Sequence, residues 1–263
     1  MFSSTDKINR ARRHFLGLAA SAGTKIATVG GLAALPSLIA GLASAHGGRG
    51  RGRHRCFLRG TMIATPAGEI AVESLKAGDL VRTARGRSMA IKWIGRQAFG
   101  VSRNREALPI RISRHALEDN MPHSDLYVSP HHALLIDGVL IRAKDLVNGT
   151  TIAPALPVGR DTIEYYHILL DSHEVVVAEG VPAETLLLEA DNHEAFSNFA
   201  EVMRLFPDGT IPAMAPVAPI LHCRGRDHLR ALLRLAIHPF AADNDPIDKI
   251  HVRLAKRAEV VAA

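Results

Sequence analysis

The sequence predicts a mainly β fold: a compact all-β domain followed by a helical C-terminal extension. The first observation is a series of short apolar runs, from Cys56 to about Ala190, separated by tight turns. The second is that no long helical pattern alternates with these runs, which argues against a sheet built from βαβ units. The third is a change to helical spacing after Pro182. The chain has 263 residues, enough for a substantial buried core.

The first half of the domain shows strand patterns separated by turns. Residues 61–64 precede the turn 66–68, and the runs 80–83 and 88–99 flank the turn Arg85-Gly86. Alternate apolar positions predict strands with one buried face: Met89, Ile91 and Trp93 in one run, and Leu108, Ile110 and Ile112 in another.

The clearest hairpin signal is LLIDGVLI, residues 134–141. Two apolar runs are joined there by Asp137-Gly138, a pair typical of two-residue hairpin turns with positive φ angles. The runs IEYYHILL (163–170) and EVVVAEGV (174–181) predict two more strands.

The C-terminal extension, residues 191–263, is predicted to be helical. Helical spacing already begins in residues 183–206, and residues 215–220 resemble a Pro/Ala linker. Residues 227–240 predict an amphipathic helix, whereas the final residues, 248–263, fit either a strand or a helix.

The net charge of +6 is concentrated near the N-terminus. Residues 1–45 hold five basic residues and one acidic residue, and residues 46–55 hold four arginines, so the remaining residues carry a net charge of −2. The mildly acidic body does not indicate nucleic-acid binding. The Arg/Gly-rich stretch 46–55 predicts a flexible arm, because glycine disfavours order and the arginines repel one another.

The N-terminal 45 residues have the layout of an export signal. A basic segment precedes a weakly apolar stretch, and Ala43-Ser44-Ala45 predicts cleavage before His46. Arg12-Arg13 resembles a twin-arginine motif, which makes the twin-arginine export machinery a predicted partner. We therefore expect a periplasmic or secreted protein, or a cytoplasmic one if the leader is removed before export. The alternative is an amphipathic N-terminal helix of a cytosolic protein.

The chain has two cysteines, Cys56 and Cys223, which form neither a C-x-x-C pair nor a disulfide framework. The sequence leaves open a single disulfide between them in an oxidising compartment. Cys56 stands at the start of the folded part. A thiol in that place can attack the carbonyl of the preceding residue, converting the peptide bond into a thioester. This chemistry requires a thiolate, a general acid for the leaving nitrogen and groups that hold the scissile amide.

The segment LYVSPHHALL, residues 126–135, offers two of these groups, since Ser129 and His132 are three positions apart at a predicted strand-to-turn junction. Together with CFLRGTMIATPAGEIAVESLKAGDLV and EYYHILLDSHEVVVAEG, it resembles the Hedgehog/intein autoprocessing (Hint) domain over residues 56–190. Ser129 takes the place of the usual threonine. The resemblance implies a horseshoe-like all-β domain that acts on its own chain.

The resemblance also implies the site residues. Cys56 matches the acyl-shift nucleophile, His132 the general acid and Ser129 the hydroxyl that orients the scissile amide. His167 stands where inteins often have an aspartate, and His173 matches a position that is often histidine. Two further residues lie nearby in sequence without such a match: His131, whose side chain is expected to point away, and Asp171.

The resemblance implies cleavage without splicing, because Glu184-Thr185 stands where a splicing intein has its His-Asn pair. The substrate is then the protein's own N-terminal segment, the acceptor is water or an external nucleophile, and no cofactor or metal is implied. Two alternatives remain open: a catalytically silent Hint fold used for binding or structure, and a protein whose arm, residues 46–55, tethers it to nucleic acid or to the cell envelope.

Overall fold

The computed structural model describes residues 55–101, 108–189, 192–208, 210–221 and 246–262. The predicted signal (1–45), nearly all of the predicted arm (46–55), the predicted helix at 227–240 and Cys223 lie outside these residues.

The described part of the chain is mainly β, as the sequence predicts. Its strands, in chain order, are β1 (Phe57–Leu58), β2 (Met62–Thr65), β3 (Gly68–Ala71), β4 (Leu80–Arg82), β5 (Ser88–Ala90), β6 (Trp93–Gly100), β7 (Ile110–Ile112), β8 (Leu126–Val128), β9 (Ala133–Ile136), β10 (Val139–Arg142), β11 (Ile152–Pro154), β12 (Thr162–Leu169), β13 (Val175–Ala178), β14 (Val181–Glu184) and β15 (Ile220–Leu221). Its two α-helices are α1 (Ala200–Leu205) and α2 (Pro246–Ala262).

The strand that follows Cys56 lies in the middle of a six-stranded antiparallel sheet. The spatial order is β11-β7-β8-β1-β12-β6, so β1 lies between β8 and β12. Phe57 is opposite Val128 on one side and Tyr166 on the other. Both neighbours therefore fix the backbone on which the nucleophile is predicted to lie.

A second sheet carries the predicted hairpin. Its order is β15-β10-β9-β14-β13-β2-β3, and β10 and β15 form its parallel pair. Asp137 and Gly138 have φ angles of 51° and 80°, which confirms the predicted turn between β9 and β10. Strands β4 and β5 form a separate two-stranded sheet.

The two faces of β1 pack into different apolar clusters, because successive side chains of a strand point in opposite directions. Phe57 belongs to the larger cluster, which includes residues from both large sheets. Cys56 and Leu58 belong to a second cluster with Trp93, Tyr165 and Phe196. The thiol of Cys56 therefore starts from an apolar, buried environment.

Two predicted elements differ from the structure. The helical reading of residues 183–206 is wrong in its first part, because Val181–Glu184 pairs with β13 and β9; the helix itself spans only Ala200–Leu205. The predicted continuous strand 88–99 breaks after Ala90, where β5 leaves the two-stranded sheet and β6 enters the six-stranded one. In both cases the conformation is decided by pairing with other strands, which local sequence patterns do not reveal.

Residues 215–220 end in β15 rather than in a free linker, and the ambiguous final segment is the helix α2. Within the described ranges, no helix combines the length and the apolar character needed to cross a membrane.

Candidate self-processing site

The peptide bond between Arg55 and Cys56 lies at the N-terminal end of β1. Cys56 is fully buried, with 0% of its surface exposed. Burial raises the pKa of its thiol far above the ordinary value, and a backbone hydrogen bond with Arg55 lowers it only in part. The resting side chain is therefore a protonated thiol that needs a base before it can attack.

Ser129 holds the backbone of Cys56 at two points. The N–H of Cys56, which is the nitrogen of the candidate scissile bond, donates to Ser129 Oγ at 2.7 Å. The N–H of Ser129 donates to the carbonyl oxygen of Cys56 at 2.8 Å. Ser129 follows β8 directly, and β8 pairs with β1. This pairing places the Ser129 hydroxyl beside the Arg55–Cys56 bond.

His132 lies in the turn that begins at Ser129, and its own N–H donates to the Ser129 carbonyl oxygen at 3.0 Å. The imidazole is fully buried and packs against the ring of Phe57, with centroids 4.4 Å apart. Backbone groups of Arg55 and Glu184 lie beside the ring. His132 therefore lies next to the residue whose carbonyl the thiol would attack.

Burial lowers the pKa of His132 from 6.5 to about 4. The negative charge of Glu184 opposes this decrease, whereas the positive charge of Arg55 adds to it. Neither ring nitrogen has a hydrogen-bonding partner among the described residues. At neutral pH, His132 is therefore a neutral imidazole that is free to accept a proton.

His167 lies in β12 beside the start of β1. The register pairs Phe57 with Tyr166, so the next position along β12 places His167 opposite Cys56 and on the same face of the sheet. Its ring centroid is 5.4 Å from that of His132. Burial lowers the pKa of His167 well below 6.5, and the charges of His132 and Arg55 add to this effect.

Glu184 also belongs to the site, although the sequence analysis treated it only as a departure from the splicing pair. The carboxylate is 1% exposed, its Oε1 accepts the N–H of Ala133 at 2.8 Å, and its Oε2 lies 3.7 Å from Arg55 Nη1. Burial alone would raise the pKa of Glu184, but a hydrogen bond with His173 and the charge of Arg55 lower it overall. Glu184 is therefore a buried anion in contact with the residue before the candidate scissile bond.

His173 belongs to the site through Glu184. Its Nε2 lies 3.5 Å from Glu184 Oε2, and its Nδ1 accepts the N–H of Val217 at 3.0 Å. A nitrogen that accepts a hydrogen bond carries no proton, so the proton of a neutral His173 lies on Nε2 and faces the carboxylate. The five predicted residues thus form one buried group around the Arg55–Cys56 bond.

One residue near the group in sequence lies apart from it. The Asp171 carboxylate is 65% exposed and pairs with Lys92 at 2.7 Å, so it does not assist the thiol. His131 is half-buried, next to His132 in the chain. Over the described ranges, no cluster of three or more histidine, cysteine, aspartate or glutamate residues is arranged to hold a metal ion.

A signal for Glu184 was present in the sequence. A single carboxylate in the otherwise uncharged run GVPAETLLL is unusual in a buried strand, where an acid needs a partner. The helical interpretation of residues 183–206 concealed this signal, because on a surface helix a glutamate requires no explanation.

Comparison with known proteins places the chain in a family. The Hint domain family profile matches residues 55–190, more than half of the chain. The comparison with curated proteins gives no significant match.

Solved structures that resemble the chain include intein and intein-like domains. A bacterial intein-like domain from Clostridium thermocellum has 15% identity over 51% of this chain and 99% of that chain, with a TM-score of 0.37. The gp41-1 intein has 14% identity over 49% and 96% of the two chains, with a TM-score of 0.35. The MchDnaB-1 intein has 12% identity over 48% and 98%, with a TM-score of 0.33. The family match over residues 55–190 shows that the chain belongs to the Hint domain family.

Proposed function

We propose that this Hint domain cleaves its own chain between Arg55 and Cys56 through an N–S acyl shift. The observation that carries the proposal is the 2.7 Å hydrogen bond from the Cys56 N–H to Ser129 Oγ. It fixes the amide that would break, beside a buried thiol and two neutral imidazoles. This combination supplies a nucleophile, a proton carrier and an oriented leaving group at one bond.

The first step moves a proton. The Cys56 thiol is protonated at rest, and the depressed pKa values of His132 and His167 keep both rings neutral at pH 7. His167 lies opposite Cys56 in the sheet register, so it accepts the thiol proton. The resulting thiolate is the form that attacks a carbonyl carbon.

The second step exchanges one bond for another. The thiolate sulfur bonds to the carbonyl carbon of Arg55, and the bond between that carbon and the Cys56 nitrogen breaks. The imidazole pair carries the proton from the thiol to this nitrogen, with His132 as the donor, because it lies beside the Arg55 backbone. The products are a thioester on Cys56 Sγ and a free amino group on the same residue, so atoms and charge balance.

The third step releases the N-terminal segment. Water, a thiol or an external nucleophile attacks the thioester, which frees the Cys56 thiol and leaves Arg55 as a C-terminus. Glu184 and Thr185 lack the asparagine amide that closes a succinimide ring, so the chain after Cys56 stays intact.

Substitution of Cys56 tests the proposal. Cys56→Ala should abolish the fragment that begins at residue 56, and Cys56→Ser should slow its formation, because oxygen is deprotonated at a much higher pKa than sulfur. Dithiothreitol should increase cleavage of the unsubstituted chain and leave a thiol adduct on Arg55. A Cys56→Ala chain that still yields this fragment would refute the proposal.

The alternative is a silent Hint fold that serves in binding or structure. The complete burial of Cys56 and its raised thiol pKa favour this alternative. It predicts an intact chain in the presence of dithiothreitol, so the same experiment separates the two functions.

A further inference from the structure

We infer that Glu184 is a specificity-determining residue, which selects an arginine side chain at the position before the scissile bond. The inference rests on the proposed cleavage between Arg55 and Cys56 and names its substrate class: a peptide bond whose acyl side carries a guanidinium group. Glu184 binds this side chain and does not itself take part in the acyl shift.

The charges around Glu184 leave Arg55 as its cationic partner. Among the described residues, the ionisable groups that act on this carboxylate are Arg55, His132 and His173. His132 is neutral because burial lowers its pKa to about 4. The Nδ1 of His173 accepts the Val217 N–H, which is incompatible with a doubly protonated ring. The guanidinium group of Arg55 is thus the permanent positive charge in contact with the carboxylate.

An anion that is 1% exposed needs such a partner, because a buried carboxylate without a counter-charge is strongly destabilised. The Arg55 side chain is 24% exposed, so it enters the pocket from the surface and can leave with the released segment. Arg55 Nη1 itself has no conventional hydrogen bond, and the 3.7 Å distance describes an ion pair.

The same carboxylate also accepts a hydrogen bond from the segment that carries His132. Glu184 Oε1 accepts the N–H of Ala133, the residue after His132. One carboxylate therefore holds the acyl side of the scissile bond through Arg55 and the general acid through Ala133. When Glu184 binds the Arg55 side chain, the carbonyl group of Arg55 is aligned with the imidazole of His132. The selectivity for arginine should therefore appear in the rate of thioester formation.

A nearby arginine provides the contrast. Arg59 lies three residues after Cys56, is 46% exposed, and pairs with Glu164 at 3.0 Å and with Glu73 at 3.7 Å. Exposed ion pairs contribute little. Loss of the Arg59 charge should therefore leave the reaction unchanged, which makes Arg59→Gln a matched control.

The test compares thioester formation, trapped with dithiothreitol and followed by intact mass, in the 263-residue chain and its variants. Arg55→Gln should reduce the rate by about 10- to 100-fold, as expected for a specific contact at a reacting centre. The rate of Arg55→Lys should fall between those of the unsubstituted chain and Arg55→Gln, because lysine keeps the positive charge but lacks the planar guanidinium group. Arg59→Gln should react like the unsubstituted chain.

A double-mutant cycle assigns the effect to Glu184. In a Glu184→Gln background the difference between Arg55 and Arg55→Gln should shrink to less than about threefold, since the selective contact is gone. Circular dichroism shows whether the Glu184→Gln chain folds. If it does not fold, the rates of Arg55, Arg55→Lys and Arg55→Gln in the chain that retains Glu184 test the inference. Equal rates for Arg55, Arg55→Lys and Arg55→Gln would overturn the inference while leaving the proposed cleavage intact. A chain that never cleaves would overturn both.

Discussion

At the residue scale, His132 and His131 are adjacent in sequence but differ in environment. The imidazole of His132 is fully buried beside the backbone of Arg55 and the ring of Phe57, whereas His131 is half-buried. This difference favours His132 over His131 as the proposed general acid. The resemblance to Hint domains predicts the same role for His132, and this role stays a prediction that the substitutions below test.

Substitution of these two histidines should separate their roles. His132→Ala should reduce cleavage by about 10²- to 10⁴-fold, the usual contribution of a positioned proton donor. His131→Ala should have a far smaller effect. Quantifying the fragment that begins at Cys56 measures both, and equal losses would show that the general acid has been assigned to the wrong residue.

The depressed pKa values of the two buried imidazoles predict that acid destabilises the fold. His132 titrates at 6.5 when unfolded and at about 4 when folded, so between these values the unfolded chain binds more protons. His167 shifts in the same direction. The free energy of unfolding should therefore decrease as the pH falls from about 6.5 towards 4. Glu184 has a lowered pKa, so the stability it contributes is lost only at more acidic pH.

This pH dependence can be measured by urea unfolding of the non-cleaving Cys56→Ala chain at pH 7 and pH 5. The midpoint should be lower at pH 5, and His132→Gln should remove part of the difference. An unchanged midpoint would mean that the two rings are already protonated or that water reaches them.

At the element scale, the segments predicted correctly are those whose conformation is decided locally. The hairpin at Asp137-Gly138 depends on two residues that favour positive φ angles, and the sequence alone indicates it. Residues 183–184 were misassigned because their strand conformation comes from pairing with β13 and β9, and pairing between strands is not a local signal. The missed Glu184 is a consequence of that error, since a helix would have placed it in solvent.

The segment from Asn192 to Leu205 covers the face of the six-stranded sheet on which Cys56 lies. Phe196 packs against Trp93 at a centroid distance of 5.3 Å and lies 6.4 Å from the ring of His167. Gly95 makes this approach feasible, because a Cβ atom there would come within 2.6 Å of Phe196. This segment therefore contributes to the burial that raises the pKa of the Cys56 thiol.

Truncation of the covering aromatic ring should expose the nucleophile. Phe196→Ala is expected to cost about 3–5 kcal/mol of stability and to accelerate labelling of Cys56 by a thiol reagent. Phe199→Ala is the control, because Phe199 is already 43% exposed. Peptide mapping of the label distinguishes Cys56 from Cys223. Unchanged labelling of Cys56 would show that the segment does not control access to the thiol.

At the scale of the whole molecule, the predicted export signal and the proposed cleavage site lie about ten residues apart in the sequence. The order of the two proposed events would therefore determine the location of the product. If export precedes cleavage, the domain reaches the periplasm or the medium and releases a short arm. If cleavage comes first, the domain stays in the cytoplasm.

Replacing Arg12-Arg13 with Lys-Lys tests the export proposal. The variant should accumulate in the cytoplasm, because the arginine pair is the feature that the twin-arginine machinery would recognise. Cell fractionation of the Cys56→Ala chain, which cannot detach its own leader by the proposed route, provides the cleanest comparison. An unchanged distribution would contradict the twin-arginine assignment.

The most direct test of the proposed self-cleavage is the intact mass of the freshly purified chain, measured with and without added thiol. We predict an N-terminal fragment ending at Arg55, as a free acid or a thiol adduct, and a partner running unbroken from Cys56 to Ala263. An intact chain under both conditions would contradict cleavage. A ligated product joining residues before Cys56 to residues after Thr185 would contradict the absence of splicing.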